Sequence, residues 1–141
     1  MSFWDSSALV PVLVDEPSSA AMRLRYAEDA GPAVWWGTSI ECASALARLE
    51  REGALTANEI ATSFGRLDEL QAGWDVVEPS EDLREIARRF VRVHPLRAAD
   101  ALQLAAAYLA SERRPPTLEL VSLDDRLRDA ALREGFAVLG A

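Results

Sequence analysis

Short apolar runs alternate with longer stretches of helical period from one end of the chain to the other. Residues 2–5 read as a short strand, and 7–14 as a helical turn that stops before Pro17. Residues 17–30 form a helix with Ala21, Leu24 and Arg25 at helical spacing, and Gly31-Pro32 ends it. A brief apolar strand at 33–36 leads into a helix at 39–52, where Ile40, Ala43, Leu46 and Leu49 share one face. Thr56 opens a further helix toward Gly73, and 75–77 is a third strand. Pro79-Ser80 starts a charged helix at 81–93 with acids in its first turn. Pro95 interrupts, and 97–111 is an alanine-rich helix. After a linker at 113–116 come a strand at 118–122, a helix at 125–134 and a last strand at 136–139. Strands alternating with helices of this length predict one three-layer α/β domain over 1–141, its parallel sheet of about five strands covered on both faces.

Composition narrows the chemistry. Half the residues are hydrophobic and 27% charged, the balance of a globular domain. One cysteine, Cys42, excludes a disulfide framework within the chain, and one histidine, His94, excludes His-pair zinc motifs. The net charge is −8, and every one of the 15 basic residues is arginine. Without lysine the chain can carry neither a Walker A loop nor a Schiff-base site. The acidity by itself argues against indiscriminate nucleic-acid binding, because phosphate contacts need positive surface. No apolar run approaches the roughly 18 residues of a membrane span, and MSFWDSSALV has no secretory pattern. The expected location is the cytoplasm, away from membranes.

The acids gather at one place in this arrangement. An open parallel sheet binds ligands at the carboxyl ends of its strands. Asp5 ends the first strand, and Asp124 ends the strand within LELVS. Glu41 and Asp100 start helices that overlook the same edge. Each has a purely structural alternative: Glu41 in a capping box with Thr38, Asp124 or Asp125 as an N-cap, Asp100 beside a helix dipole, Asp5 as a turn cap. Those alternatives leave the gathering of four unexplained. Two carboxylates about 4 Å apart repel by roughly 4 kcal/mol at an effective dielectric of about 20. No lysine is available, and no arginine stands beside Asp5 or Asp100 in the chain. A divalent cation is the natural partner, and an all-oxygen set selects Mg²⁺ or Mn²⁺. The chemistry that follows is metal-assisted hydrolysis.

The segments FWDSSALV, TSIECASALARL, LRAADALQLAAA and VSLDDRLRDAA, in this order and spacing, resemble a PIN domain, above all the VapC-type toxins of toxin–antitoxin modules. The likeness spans essentially the whole chain. It implies a three-layer PIN-like fold and a Mg²⁺- or Mn²⁺-dependent endoribonuclease. By the resemblance, Asp5 and Asp100 are the acids that hold the metal most directly, with Glu41 and Asp124 completing the catalytic set. Asp125 competes with Asp124, which the S-x-D spacing favours. Ser6 and Ser122 correspond to hydroxyls beside the acids, expected to orient them or to touch phosphate. The resemblance further implies a homodimer and inhibition by a cognate antitoxin protein.

Arg88, Arg89, Arg92 and Arg97 form an acid-free basic run leading into Asp100 and are candidates for RNA binding, although a solvated helix face is the simpler account of each. The tryptophans are expected mainly in the core, Cys42 as a small core residue, and His94 as a structural or helix-end partner. Two other classes with an aspartate after the first strand fail here. A haloacid-dehalogenase-like phosphatase needs Asp-x-Asp and a lysine, and a receiver domain needs that lysine too; the chain has Asp5-Ser6-Ser7 and none. The remaining alternative is a non-catalytic PIN-like module that keeps the acidic pocket for a partner.

Overall fold

The structure is a computed structural model describing residues 1–140. Its strands are β1 (Ser2–Trp4), β2 (Ala33–Trp35), β3 (Asp75–Val77), β4 (Glu119–Val121) and β5 (Ala137–Leu139). Its helices are α1 (Ser6–Leu13), α2 (Ser19–Glu28), α3 (Thr38–Arg51), α4 (Ala57–Ala72), α5 (Glu81–Val93), α6 (Ala98–Ala110) and α7 (Asp125–Glu134). All strand pairs are parallel, in the order β3-β2-β1-β4-β5. The expected three-layer α/β architecture is therefore present. The chain builds outward from β1 to β3, then crosses back to lay β4 on the other side of β1. That reversal opens the crevice between the ends of β1 and β4 where open α/β sheets take ligands.

Each strand is only three residues long, yet the inner ones need no alternation because helices cover both faces. Successive side chains point to opposite faces. Phe3, Trp35 and Leu120 enter the core under α5, α6 and α7, with Phe90, Leu104 and Leu127. Trp4, Val34 and Val121 enter the other core, with Leu9 and Leu13 of α1, Met22 of α2, Leu46 of α3 and Leu67 of α4. The alanines of α6 explain its position. Ala101, Ala105, Ala106 and Ala107 are fully buried, and their small side chains let α6 lie close against the sheet and α5.

The ends of elements depart from the sequence expectations for local reasons. β1 stops at Trp4 rather than residue 5, because Asp5 N-caps α1 and accepts from the Ser7 amide. The Thr38–Glu41 capping box is absent: Gly37 is the N-cap of α3 without a side-chain bond, and the buried Thr38 hydroxyl accepts from Gln103. Thr56 and Glu59 do form such a box at α4. Trp4 and Trp35 are core residues, whereas Trp36 is 51% exposed. His94 caps the end of α5, and its imidazole Nε2 lies 2.7 Å from Glu134 of α7. Among the described residues no helix is long and apolar enough to cross a membrane.

Asp29 anchors the start of β1. Its carboxylate accepts from the Ser2 amide at 3.0 Å, Trp4 Nε1 at 2.9 Å and the Gly31 amide at 3.0 Å. Burial alone would raise its pKa, but these donors and the N-terminal ammonium hold it below the ordinary value. A lowered pKa means the ionised form stabilises the fold, an effect present above the unfolded pKa and lost as pH falls through the folded one. Asp29→Asn should therefore cost about 1 kcal/mol at neutral pH, set by the weakened charge-assisted bonds. The gap to wild type should close below about pH 4. Denaturant unfolding of both proteins at neutral and acidic pH checks this, and a gap independent of pH would contradict it.

Candidate active site

The site is built from the end of the central strand outward. The Asp5 amide donates to the Val121 carbonyl at 3.0 Å, so β1 and β4 reach the crevice together. The side chain of Asp5 is buried, 4% exposed, and its Oδ2 accepts from Ser7 Oγ and, at 3.0 Å, from Ser122 Oγ. Ser7 Oγ in turn accepts from the Leu123 amide at 2.9 Å, which ties α1 to the loop after β4. Ser122 Oγ likewise accepts from the Asp124 amide at 3.1 Å. Two hydroxyls thus fix Asp5 and the loop that carries Asp124.

Glu41 lies in the first turn of α3, immediately beyond β2. Its Oε1 accepts from Ser6 Oγ at 2.9 Å and its Oε2 from Gln103 Nε2 at 3.2 Å. Gln103 sits one helical turn beyond Asp100 on α6 and also donates to Thr38 at 2.9 Å. Asp124 is the N-cap of α7, accepting from the Arg126 and Leu127 amides at 2.9 and 3.1 Å. Both bonds use Oδ1, so the capping role leaves Oδ2 available. Capping and site membership coexist in one carboxylate. Asp5, Ser6, Glu41, Asp100 and Asp124 line a single cavity of about 440 Å³. Asp125 is outside it, at the rim of an adjoining depression that it shares with Asp100 and Asp124.

The electrostatics follow from this crowding. Burial pushes the Asp5 pKa up against the pull of its serine donors, and Asp124 adds to the rise. Burial also raises Glu41, opposed by Ser6 and Gln103 and reinforced by Asp5 and Asp100. Asp100 is raised by burial and then by Asp124 and Asp5, with Arg97 a partial offset. None of the four carboxylates enters an ion pair among the described residues. The available donors are oxygens: the Cys42 thiol is pushed up to about 12 by burial and is not a ligand, and His94 is engaged with Glu134. Among the described residues no three acids converge closely enough to cage an ion unaided.

Ser6 and Ser122, expected beside the acids, donate to Glu41 and Asp5 respectively. Sequence reasoning missed Ser7 and Gln103, which bond Asp5 and Glu41, and gave Thr38 only a capping role, whereas its hydroxyl accepts from Gln103. The repeated serine after Asp5 and the one-turn spacing of Gln103 from Asp100 were the available signals. The basic run divides. Arg88, Arg89 and Arg92 line a separate depression along α5 that shares no residue with the acidic cavity, and Arg89 stacks over Phe90 and Tyr108. Arg97 alone of the four reaches the acids, at the mouth beside Asp100. Arg48, seven residues after Glu41 on α3, was not anticipated and lines the acidic cavity directly.

Comparison with known proteins agrees with this architecture. The profile of the PIN domain matches residues 3–132. Ribonuclease VapC46 of Mycobacterium tuberculosis is 35% identical over 139 residues, covering 97% of this chain and 95% of that protein. Ribonuclease VapC45 of the same species is 28% identical over 148 residues, covering 99% and 94%. Among solved structures, M. tuberculosis VapC20, a sarcin–ricin-loop-cleaving toxin, superposes with a TM-score of 0.67 at 16% identity over 96% of each chain. A toxin–antitoxin complex from Klebsiella pneumoniae gives 0.66 at 16% identity over 99% of this chain and 96% of its own. A family profile that spans nearly the whole sheet-and-helix framework, and relatives that run the full length of the chain, place this protein in the PIN domain family.

Proposed function

We propose that the chain is an endoribonuclease that depends on Mg²⁺ or Mn²⁺ and serves as the toxin of a toxin–antitoxin pair. The observation that carries the reading is that four carboxylates from four separate segments, none of them in an ion pair among the described residues, line one cavity at the sheet's crossover. Its full-length relatives bear the name ribonuclease, which supplies the reaction class. Asp5 and Asp100 would hold the ion most directly, with Glu41 and the free Oδ2 of Asp124 beside them. The bound ion supplies charge neutralisation at the phosphate and acidifies a water.

The protein's own groups supply the order. Ser7 and Ser122 hold Asp5 by two hydroxyl donors, so its remaining oxygen keeps one direction. Ser6 and Gln103 clamp both oxygens of Glu41, which prevents the side chain from swinging into solvent. The α7 amides pin Asp124 by Oδ1. Prearranged carboxylates of this kind need no reorganisation when charge builds up in the transition state. The partners of this reading are RNA as substrate, a cognate antitoxin protein, and a second copy of the chain in a homodimer, acting in the cytoplasm. The likeness to a toxin–antitoxin complex supports the antitoxin.

Three outcomes are expected. Mg²⁺ or Mn²⁺ should raise the melting temperature, because the ion relieves repulsion only in the folded state; a hundredfold excess over Kd is worth about 2.7 kcal/mol. Asp100→Asn should melt higher than wild type without metal and gain less on adding it, and a chain insensitive to millimolar metal would count against the site. Asp5→Asn or Asp100→Asn should lower RNA cleavage by more than about a hundredfold, beyond the effect of losing an outer partner. Gln103→Leu should lower it by about 10- to 100-fold while the fold survives. Cleavage of total RNA by purified proteins, beside growth arrest on expression, checks both. A folded wild type that binds metal and cuts no RNA would favour the non-catalytic module instead.

A further inference from the structure

The acidic cavity does not end at the acids. On one side it runs along the exposed face of α3, where Glu41, Ser44, Ala45 and Arg48 recur at helical spacing, to a wall that holds Arg48 and the rim residue Glu16. On the other side a second depression, of about 450 Å³, shares Asp100 and Asp124 with it and carries Arg97 and Arg126. The two depressions therefore meet at Asp100 and Asp124, with arginine beyond the acids in both directions. Arg48, Arg97 and Arg126 are exposed, and none of the three enters an ion pair among the described residues. Beside the acids these three cations offset part of the negative charge, and their guanidinium groups stay open to solvent. They are well placed for a ligand whose negative charges repeat along a line.

We infer that Arg48 on one side and Arg97 with Arg126 on the other form a phosphate track, across which an RNA strand lies with its cleaved bond over the acids. The inference rests on the ribonuclease reading and adds the path of the substrate. Arginine suits this role, since its planar fork pairs with phosphate oxygens in a bidentate fashion. Glu16 lines the first depression and Asp125 the second, so the arginines are the only cationic side chains in an otherwise acidic lining. The α5 arginines Arg88, Arg89 and Arg92 lie off this path, in a depression without any of the four acids.

The test compares single variants Arg48→Ala, Arg97→Ala and Arg126→Ala with Arg88→Ala and Arg92→Ala, using a mixed-sequence single-stranded RNA at several salt concentrations. Binding is measured on the Asp100→Asn background and cleavage on the otherwise wild-type chain. Each track variant should weaken binding by about three- to tenfold, mainly through KM in cleavage, and flatten the slope of log K against log salt by about 0.7. Arg48→Lys should recover part of the loss, because it keeps the charge without the fork. The α5 variants should retain wild-type affinity and slope. The track is overturned if its three variants keep the wild-type salt slope, or if the α5 variants lose as much. It is equally overturned if the track variants lose affinity for an acidic peptide and not for RNA. Arginine-dependent RNA binding with no cleavage would leave the track standing and remove the nuclease, whereas cleavage indifferent to these arginines would do the reverse.

Discussion

A carboxylate buried at the tip of the central strand is the constraint around which the rest of the molecule is arranged. Asp5 is nearly inaccessible, and an ionised carboxylate in such a place is tolerated only when donors and counter-charge replace the water it loses. Ser7 and Ser122 provide the donors, and both are anchored by amides of the β4–α7 loop. The same bonds that keep Asp5 in place thus fix the geometry of Asp124. The counter-charge is not provided by any side chain in contact among the described residues.

The sheet order creates this situation. Because β4 returns to the far side of β1, the loops after these two strands leave in opposite directions and expose a crevice between them. Two helices on opposite faces, α3 and α6, then present their first turns to it with Glu41 and Asp100. Gln103 bridges them from one turn deeper, bonding Thr38 and Glu41 together. The buried alanines of α6 allow that helix to approach closely enough for the bridge to form. Packing density on one side of the sheet is thereby tied to acid placement on the other.

The four acids of the crevice enter no ion pair among the described residues. Elsewhere on the surface arginines pair with acids, as Arg84 does with Glu81, Arg113 with Asp82 and Arg133 with Asp129. Most arginines, those of the crevice and those of α5 alike, enter no ion pair among the described residues. His94 illustrates the opposite outcome: although it lies within the basic run, it is buried against Glu134 and serves to join α5 to α7.

The sequence by itself determined the element order, the three-layer class and the candidacy of the four acids, because apolar periodicity and an aspartate or glutamate after a strand are local signals. Absence of lysine, also local, removed the rival chemistries that share an acidic crevice. Tertiary structure alone decided which neighbours hold those acids. The Thr38–Glu41 capping box was a sound local expectation, yet Gln103, more than sixty residues away, claims both side chains. The basic run before Asp100 looked continuous in sequence, but helical rotation and the break at Pro95 send Arg88, Arg89 and Arg92 to a different surface and leave only Arg97 near the acids. Arg48 lines the acidic cavity from α3, far in sequence from Asp5, Asp100 and Asp124. Such partnerships depend on how distant segments are brought side by side, and no window along the chain encodes that distance.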